Sequence, residues 1–380
     1  MNSNNHRIYL DNAATTPMDR AVVESMQDIY INHFGNPSST YSYGREAKMQ
    51  IELARKSVAK LLHVKANEIF FTSGGTESIN TAIHMAIHDL GCKTIISSKI
   101  EHHASLHAIE AFSKKWNIPV HYVTLTENGH VDLKDLERLI KASKDKTLVS
   151  LMHANNEIGN LLNIEKVGAL CKENNAIFLC DTVQTIAHYP IGLKENNIHF
   201  ATGAAHKFHG PKGSGILFVN NEIKVQSWIK GGAQERNIRA GTENIAGIVG
   251  LAKALELALV NGEKNKEHIL KLRKHFIKRI QSELPHISFN GDWDGDSLYC
   301  LLNLSIPFKP ENNMLLMQLD MKGLCVSGGS ACSSGATTGS HVIAEVYPNI
   351  KQNPLRISFS KFNTIEEIDK AVEILKELCN

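Results

Sequence analysis

A chain of 380 residues exceeds what one small core can serve, so two linked domains are expected. Its 42% hydrophobic and 21% charged residues suit a globular protein, and a formal net charge of +2 excludes the basic field of a nucleic-acid or anionic-membrane binder. The opening MNSNNHRIYLDNAATTP is too polar for an export signal and no stretch is long enough to span a membrane, so the cytoplasm is the default compartment. Seven scattered cysteines (92, 171, 180, 300, 325, 332 and 379) contain no CxxC, so neither a disulfide framework nor a metal site is expected.

In chain order, a helix signal over 45–62 precedes a run of alternating elements. The strand EIFFT (68–72) leads to a helix-like stretch from Gly75 to Leu90, and TIISS (94–98) to another near 103–116. PVHYVTL is followed by 132–143, TLVSLM (147–152) by 163–174, and then comes IFLCD (177–181). Strands followed by helices in this order predict a mainly parallel sheet with crossover helices, an α/β domain. A further helix signal covers 241–259, and a charged helical stretch from about 262 reads as a connector. Beyond it, the strand runs LYCLLNLSI and PLRISFS mix with helical segments, which predicts a smaller α+β domain. The expected division is 15–260 and 261–380, with residues 1–14 packing against the second part.

Several short segments carry chemistry. In HKFHGPKG (206–213), Lys207 follows a strand and precedes a Gly/Pro turn, which suits a Schiff-base lysine, although an exposed basic loop is the commoner setting for an isolated lysine. Asp181 ends a wholly apolar strand at the edge where α/β sheets bind ligands. A carboxylate buried there needs a cation, and a protonated pyridine nitrogen is one; helix capping is the alternative. FTSGGTES (71–78) opens a helix directly after a strand, aiming free backbone N–H groups at an anion, with Thr76 adding a hydroxyl. His102 in IEHHAS follows a strand and could lie over a ring and relay protons near neutral pH. SGGSACSSG (327–335) is dominated by Gly and Ser and predicts a mobile loop, an unusual place for a cysteine unless Cys332 is a nucleophile. Arg356, inside a strand run with no adjacent acid, suits a substrate carboxylate; a salt bridge to a distant acid is the alternative.

Taken together, these segments resemble the NifS/IscS-type cysteine desulfurases, a branch of the class-V aminotransferases and of the fold-type I enzymes that use pyridoxal 5'-phosphate (PLP). The matching motifs run nearly end to end: YLDNAATTP, FGNPSS, FTSGGTES, EHHA, NNEIG, DTVQ, AHKFHGPKG, RAGTEN, GGSACSS and LRISFS. The resemblance implies a homodimer that converts L-cysteine to L-alanine and an enzyme-bound persulfide. That sulfur would pass to an acceptor protein for iron–sulfur cluster or thio-cofactor synthesis. It also implies that Lys207 carries the Schiff base, Asp181 pairs with the pyridinium, and His102 stacks on the ring and helps move protons. Asn156 and Gln184 would face the phenolic oxygen and the substrate, while Gly75, Thr76 and His206 would hold the phosphate. Thr242 would reach the phosphate from the other subunit, Arg356 would take the substrate carboxylate, and Cys332 the sulfur.

Two positions depart from the family pattern. Ala204 replaces a common serine three residues before Lys207, and Thr182 replaces a small alanine after Asp181. A selenocysteine lyase, which can dispense with a loop thiol, and a catalytically silent partner-binding subunit are the rival readings. The presence of Lys207, Asp181 and Cys332 together argues against both.

Overall fold

The apolar residues of the strand Ile177–Asp181 divide between two sides: Phe178 and Cys180 enter one core, Ile177 and Leu179 another. A strand alternates its side chains with period two, so a strand apolar at every position must be covered on both faces. The computed structural model describes residues 7–308, 314–329, 339–349 and 352–379, and it supplies both covers.

Among these residues the strands are β1 (Ile8–Tyr9), β2 (Ile69–Thr72), β3 (Thr94–Ser97), β4 (Val120–Tyr122), β5 (Thr147–Met152) and β6 (Ile177–Asp181). They continue as β7 (Phe200–Ala204), β8 (Gly215–Val219), β9 (Ser288–Asn290), β10 (Leu301–Pro307), β11 (Leu324–Cys325) and β12 (Gln352–Ser358). Seven of them form the main sheet in the order β2-β8-β7-β6-β5-β3-β4. From β7 to β4 all pairings are parallel, while β8 runs antiparallel to both of its neighbours. That reversal is absent from the sequence reading. It arises because β7 returns directly through the loop holding Lys207, which is too short for a crossover helix.

One face is covered by the helices Ser42–Leu61 and Ile245–Val260, whose Ile51, Val58, Leu251 and Leu255 pack with Phe71, Phe178 and Phe218. The other face takes the helices Gly75–His88 and His103–Trp116, whose Ile83, Ile109 and Phe112 meet Phe70, Ile177 and Leu217. Each fully buried side chain of this size contributes roughly 1.5–3 kcal/mol. Caps set the ends: Asp132 accepts from the amides of Lys134 and Asp135, Asn163 accepts from that of Lys166, and Asn117 closes its helix in the left-handed conformation.

A separate core joins the antiparallel strands β9-β10-β12 to the helices Gly262–Glu283 and Ile365–Cys379 through Phe276, Leu302, Leu304, Leu355, Ile357 and Leu375. Ile8 and Leu10 belong to this core as well, because β1 pairs in parallel with β11 at the opposite end of the chain. Asn303 of β10, within the Asn-Leu-Ser triplet, is fully buried and bonded to the Glu157 carbonyl, a setting closed to glycosylation. No single helix among the described residues is long and apolar enough to cross a membrane.

Candidate active site

A cavity of about 220 Å³ opens where β5, β6 and β7 end, at the carboxyl edge of the sheet. Nine of the candidate residues line it: Gly75, Thr76, His102, Asn156, Asp181, Gln184, His206, Lys207 and Arg356. Thr242 does not. It borders a second hollow with Ser73 and Gly213, and Cys332 lies outside the described residues.

Asp181 is the last residue of β6. Its Oδ1 accepts from the Val183 amide at 3.0 Å and the Thr202 hydroxyl at 2.9 Å. Burial pushes its carboxyl above the usual range, against the pull of those two bonds and of Lys207. An acid in that condition stabilises any cation placed against it.

Lys207 stands in a single 3-10 turn directly after β7. The turn folds tightly back: a Cβ on Gly210 would come within 2.8 Å of Ala205 Cβ, so this position requires glycine. Nζ donates to the Ala13 carbonyl at 2.5 Å and the Ala14 carbonyl at 2.9 Å, and Gln184 Nε2 donates to Ala13 at 3.0 Å. The backbone of DNAATT is therefore a wall of the site. Its carbonyls carry no side-chain signal, and only the place of this segment in a motif marked it.

His102 caps the helix His103–Trp116, its Nδ1 accepting from the Ala104 amide at 3.1 Å. Nδ1 must then be unprotonated, so the neutral ring carries its proton on Nε2. Burial, then the charge of Lys207, pushes this imidazole down to about 4. The expectation of a group titrating near neutral pH is thereby corrected: His102 is a neutral ring over the cavity. His206, whose Nδ1 lies 3.2 Å from the Thr15 hydroxyl, is also lowered to about 4 by burial.

Gly75 and Thr76 begin the helix that follows β2 and line the cavity, placing the positive end of the helix at its edge. Arg356 shows where the sequence reading stopped short. Its partner is an acid far away in the chain: Nη2 bonds Asp11 Oδ1 at 2.8 Å, and Nη1 donates to the Asn156 carbonyl at 2.8 Å. The guanidinium is 1% exposed, and its Nε has no hydrogen-bond partner among the described residues. Glu101 is a further buried acid behind this wall, its Oε1 accepting from the Met152 amide at 2.9 Å. Burial pushes it well above the usual carboxylate range.

Over residues 8–371 the sequence matches the aminotransferase class-V family. The cysteine desulfurase IscS of Clostridium botulinum is 42% identical over 379 residues, covering 98% of this chain and 94% of that protein. A solved NifS-like protein superposes with a TM-score of 0.90 at 36% identity, covering 98% of both chains. The cysteine desulfurase of Thermococcus onnurineus, solved in its apo form, gives 0.87 at 25% identity, covering 99% of this chain and 95% of the other. The chain belongs to the cysteine desulfurase family.

Within that family frame the two departures have distinct settings. Ala204 ends β7, is buried and lines the cavity with a methyl group where a hydroxyl is common. Thr182 is fully buried and donates to the Thr202 carbonyl at 2.7 Å. Its hydroxyl is spent on the sheet. Cys325, the cysteine nearest Cys332 in sequence, is held in β11, and burial raises its thiol above the usual range, which disfavours the thiolate. Among the described residues no cluster of three His, Cys, Asp or Glu side chains is arranged to hold a metal.

Proposed function

We propose that this protein is a cytoplasmic, PLP-dependent desulfurase that takes sulfur from L-cysteine. It releases L-alanine and leaves the sulfur as a persulfide on Cys332. The observation that carries this reading is the convergence of an amine, a buried carboxyl, a neutral imidazole and a helix N-terminus on one cavity, in Lys207, Asp181, His102 and Gly75–Thr76. That donor set fits the aldehyde, the ring nitrogen, the ring face and the phosphate of PLP respectively. When bound, PLP supplies an electron-withdrawing ring that stabilises negative charge at the α-carbon of an amino acid.

The side chains then have separate tasks. Asp181 holds a proton on the ring nitrogen. Lys207, placed by the carbonyls of Ala13 and Ala14, moves the α-proton. His102 keeps its Nε2 proton and its flat face for the ring, with Gln184 and Asn156 at the ring's oxygen and the substrate. Arg356 offers Nε, which has no partner among the described residues, to the substrate carboxylate while Asp11 and Asn156 fix its fork. Cys332 attacks the sulfur of cysteine, the C–S bond breaks, and the β-carbon takes up a proton. Cysteine and thiol thus become alanine and persulfide.

The working unit in this reading is a homodimer. Phe34, Tyr41, Tyr43, Met49 and Leu53 expose large apolar side chains on and before the helix Ser42–Leu61, with Phe34 70% exposed. A second copy seated there could bring its Thr242 to the phosphate. A separate acceptor protein would take the sulfur onward to iron–sulfur clusters or thio-cofactors. The domain division at 260–261 is supported by the separate apolar cores on either side of it, residues 8–13 belonging to the second.

The test is to incubate the purified, PLP-loaded protein with L-cysteine, assay alanine and sulfide, and weigh the peptide containing Cys332. One added sulfur there is expected. Cys332→Ala should keep the yellow colour and lose nearly all sulfide release, and Lys207→Ala should lose both colour and turnover. A colourless protein that PLP cannot reconstitute, or sulfur found on Cys325, overturns the reading.

A further inference from the structure

Glu77 stands in the first turn of the helix Gly75–His88, one residue beyond the pair that lines the cavity. Its Oε2 accepts from the Ser73 amide at 2.9 Å, just ahead of the helix. Burial alone would raise this carboxyl, but the bonds from Arg239 and Ser73 outweigh it and hold it below the usual range. Glu77 is therefore ionised. A negative charge in the first turn cancels part of the helix's positive end and repels any phosphate brought to it. A carboxylate and a phosphate ester are rivals for one helix terminus.

Arg239, in the RAGTEN segment, removes that conflict. Its Nε donates to Glu77 Oε1 at 2.9 Å and its Nη2 to Oε2 at 3.2 Å, a two-pronged pair that matches the charge where it stands.

A strained turn leads into Arg239. Glu235, Arg236 and Asn237 all lie in the left-handed region, at φ of 44°, 56° and 64°. Three consecutive non-glycine residues there are sterically costly and persist only where their surroundings dictate it. Here the surroundings are a buried ion pair. Arg55 grips the Glu235 carboxylate through Nη1 at 2.7 Å and Nη2 at 2.8 Å, and the Phe71 amide adds a bond at 2.8 Å. Arg55 is 2% exposed and Glu235 4%. Phe71 belongs to β2, the strand that leads into Gly75, so the turn and the start of the helix are fixed to the same strand. On the outer side Arg236 is tied to Glu52 at 2.7 Å.

We propose that Arg239 is a positioning residue for cofactor capture: it screens Glu77 so that the helix Gly75–His88 accepts a phosphate, and the Glu235–Arg55 pair holds the turn that puts it there. The inference rests on the reading that PLP binds in the cavity with its phosphate at Gly75 and Thr76. It adds that the affinity for that phosphate is set by two side chains that do not line the cavity.

Binding of PLP, and of pyridoxal, which lacks the phosphate, to the apo protein tests it, read through the Schiff-base absorption band. Arg239→Ala should weaken PLP at least about tenfold while pyridoxal stays within about twofold of wild type. Adding Glu77→Gln to Arg239→Ala removes the charge and keeps an acceptor for the Ser73 amide, and should restore PLP to within about threefold of wild type. A merely structural role for Arg239 would weaken both ligands alike and leave nothing for Glu77→Gln to rescue. Glu235→Gln should reproduce the Arg239→Ala pattern, with the same rescue. Arg55→Lys, which keeps the buried charge but loses the fork, should do so as well.

Equal PLP affinity in wild type and Arg239→Ala, or a defect that Glu77→Gln does not relieve, overturns the screen. Wild-type PLP affinity in Arg55→Lys or Glu235→Gln overturns the part given to the turn. If wild type forms no Schiff base with either aldehyde, the PLP reading fails instead, and the rise in melting temperature on adding inorganic phosphate decides the screen: equal rises in wild type and Arg239→Ala overturn it.

Discussion

Thr202 and Asp181 sit opposite one another across β6 and β7, and the threonine hydroxyl reaches Asp181 Oδ1 at 2.9 Å. Among the described residues, both hydrogen bonds to this carboxyl fall on Oδ1, which leaves Oδ2 for a partner in the cavity. Thr202→Val keeps the shape and removes a bond to a charged acceptor, worth about 1.5–3 kcal/mol. We expect PLP to bind roughly ten- to a hundredfold more weakly, read by titrating the apo protein at its Schiff-base absorption band or by dialysis. Unchanged affinity would show that Asp181 does not carry the cofactor's charge.

Ala204 presents a methyl group to the cavity beside Gly75, where a hydroxyl is common in the family. Ala204→Ser adds one donor at the phosphate end. A bond to a charged group contributes about 1.5–3 kcal/mol and a neutral one about 1 kcal/mol, so PLP should bind roughly five- to a hundredfold more tightly. Equal affinities would mean that the phosphate is already saturated with donors.

The pair Asp11–Arg356 is buried on the arginine side, so removing the acid strands a cation. Asp11→Ala should lower stability by about 3 kcal/mol or more, seen as a shift in the urea midpoint with an unchanged slope. Arg356→Lys loses the fork that bridges Asp11 and the Asn156 carbonyl. It should raise KM for cysteine well above any change in kcat, because the lost contact is to the unreacting carboxylate.

Acid should destabilise the fold well before the carboxylates titrate. His102, His153, His188, His206 and His209 are each held down to about 4 by burial, against about 6.5 in an unfolded chain. Between those values the unfolded state binds protons that the native state refuses, so stability rises with pH and is lost as pH falls from 6.5 toward 4. Glu101, Asp181 and Glu243, raised by burial, act in the opposite sense with at most three protons. The urea midpoint should therefore drop steadily from pH 6.5 to pH 5. A flat profile would show that these imidazoles are not buried neutral.

Much of the sheet was readable because its strands are apolar at every position and bounded by capping residues. TLVSLM and IFLCD appear as β5 and β6 with the expected ends. The gathering of eight of the nine candidate residues around one cavity follows from their position after strands or at helix starts, which a parallel sheet brings to one edge; Arg356 reaches it from inside β12 of the other sheet. What the sequence could not convey depends on distance and burial. Asp11 and Arg356 are 345 residues apart, and nothing local announces their pairing. The loss of titration at His102 depends on depth, and the carbonyls of Ala13 and Ala14 act through backbone that every residue shares.

The stitching of β1 into the carboxyl-terminal core orders the birth of the site in time. A ribosome adding about 5–20 residues per second delivers Asp11 and the Ala13–Ala14 carbonyls early, then needs roughly 20–70 s more to reach Arg356. During that interval the main sheet can close while the strand destined for β11 does not yet exist. Ile8, Tyr9 and Leu10 must wait for their partners in the last third of the chain. Until then the carbonyls of Ala13 and Ala14 that aim Lys207 are anchored from one side alone, by Gln184 and by the bonds of Thr15 and Thr16 to His206 and His209.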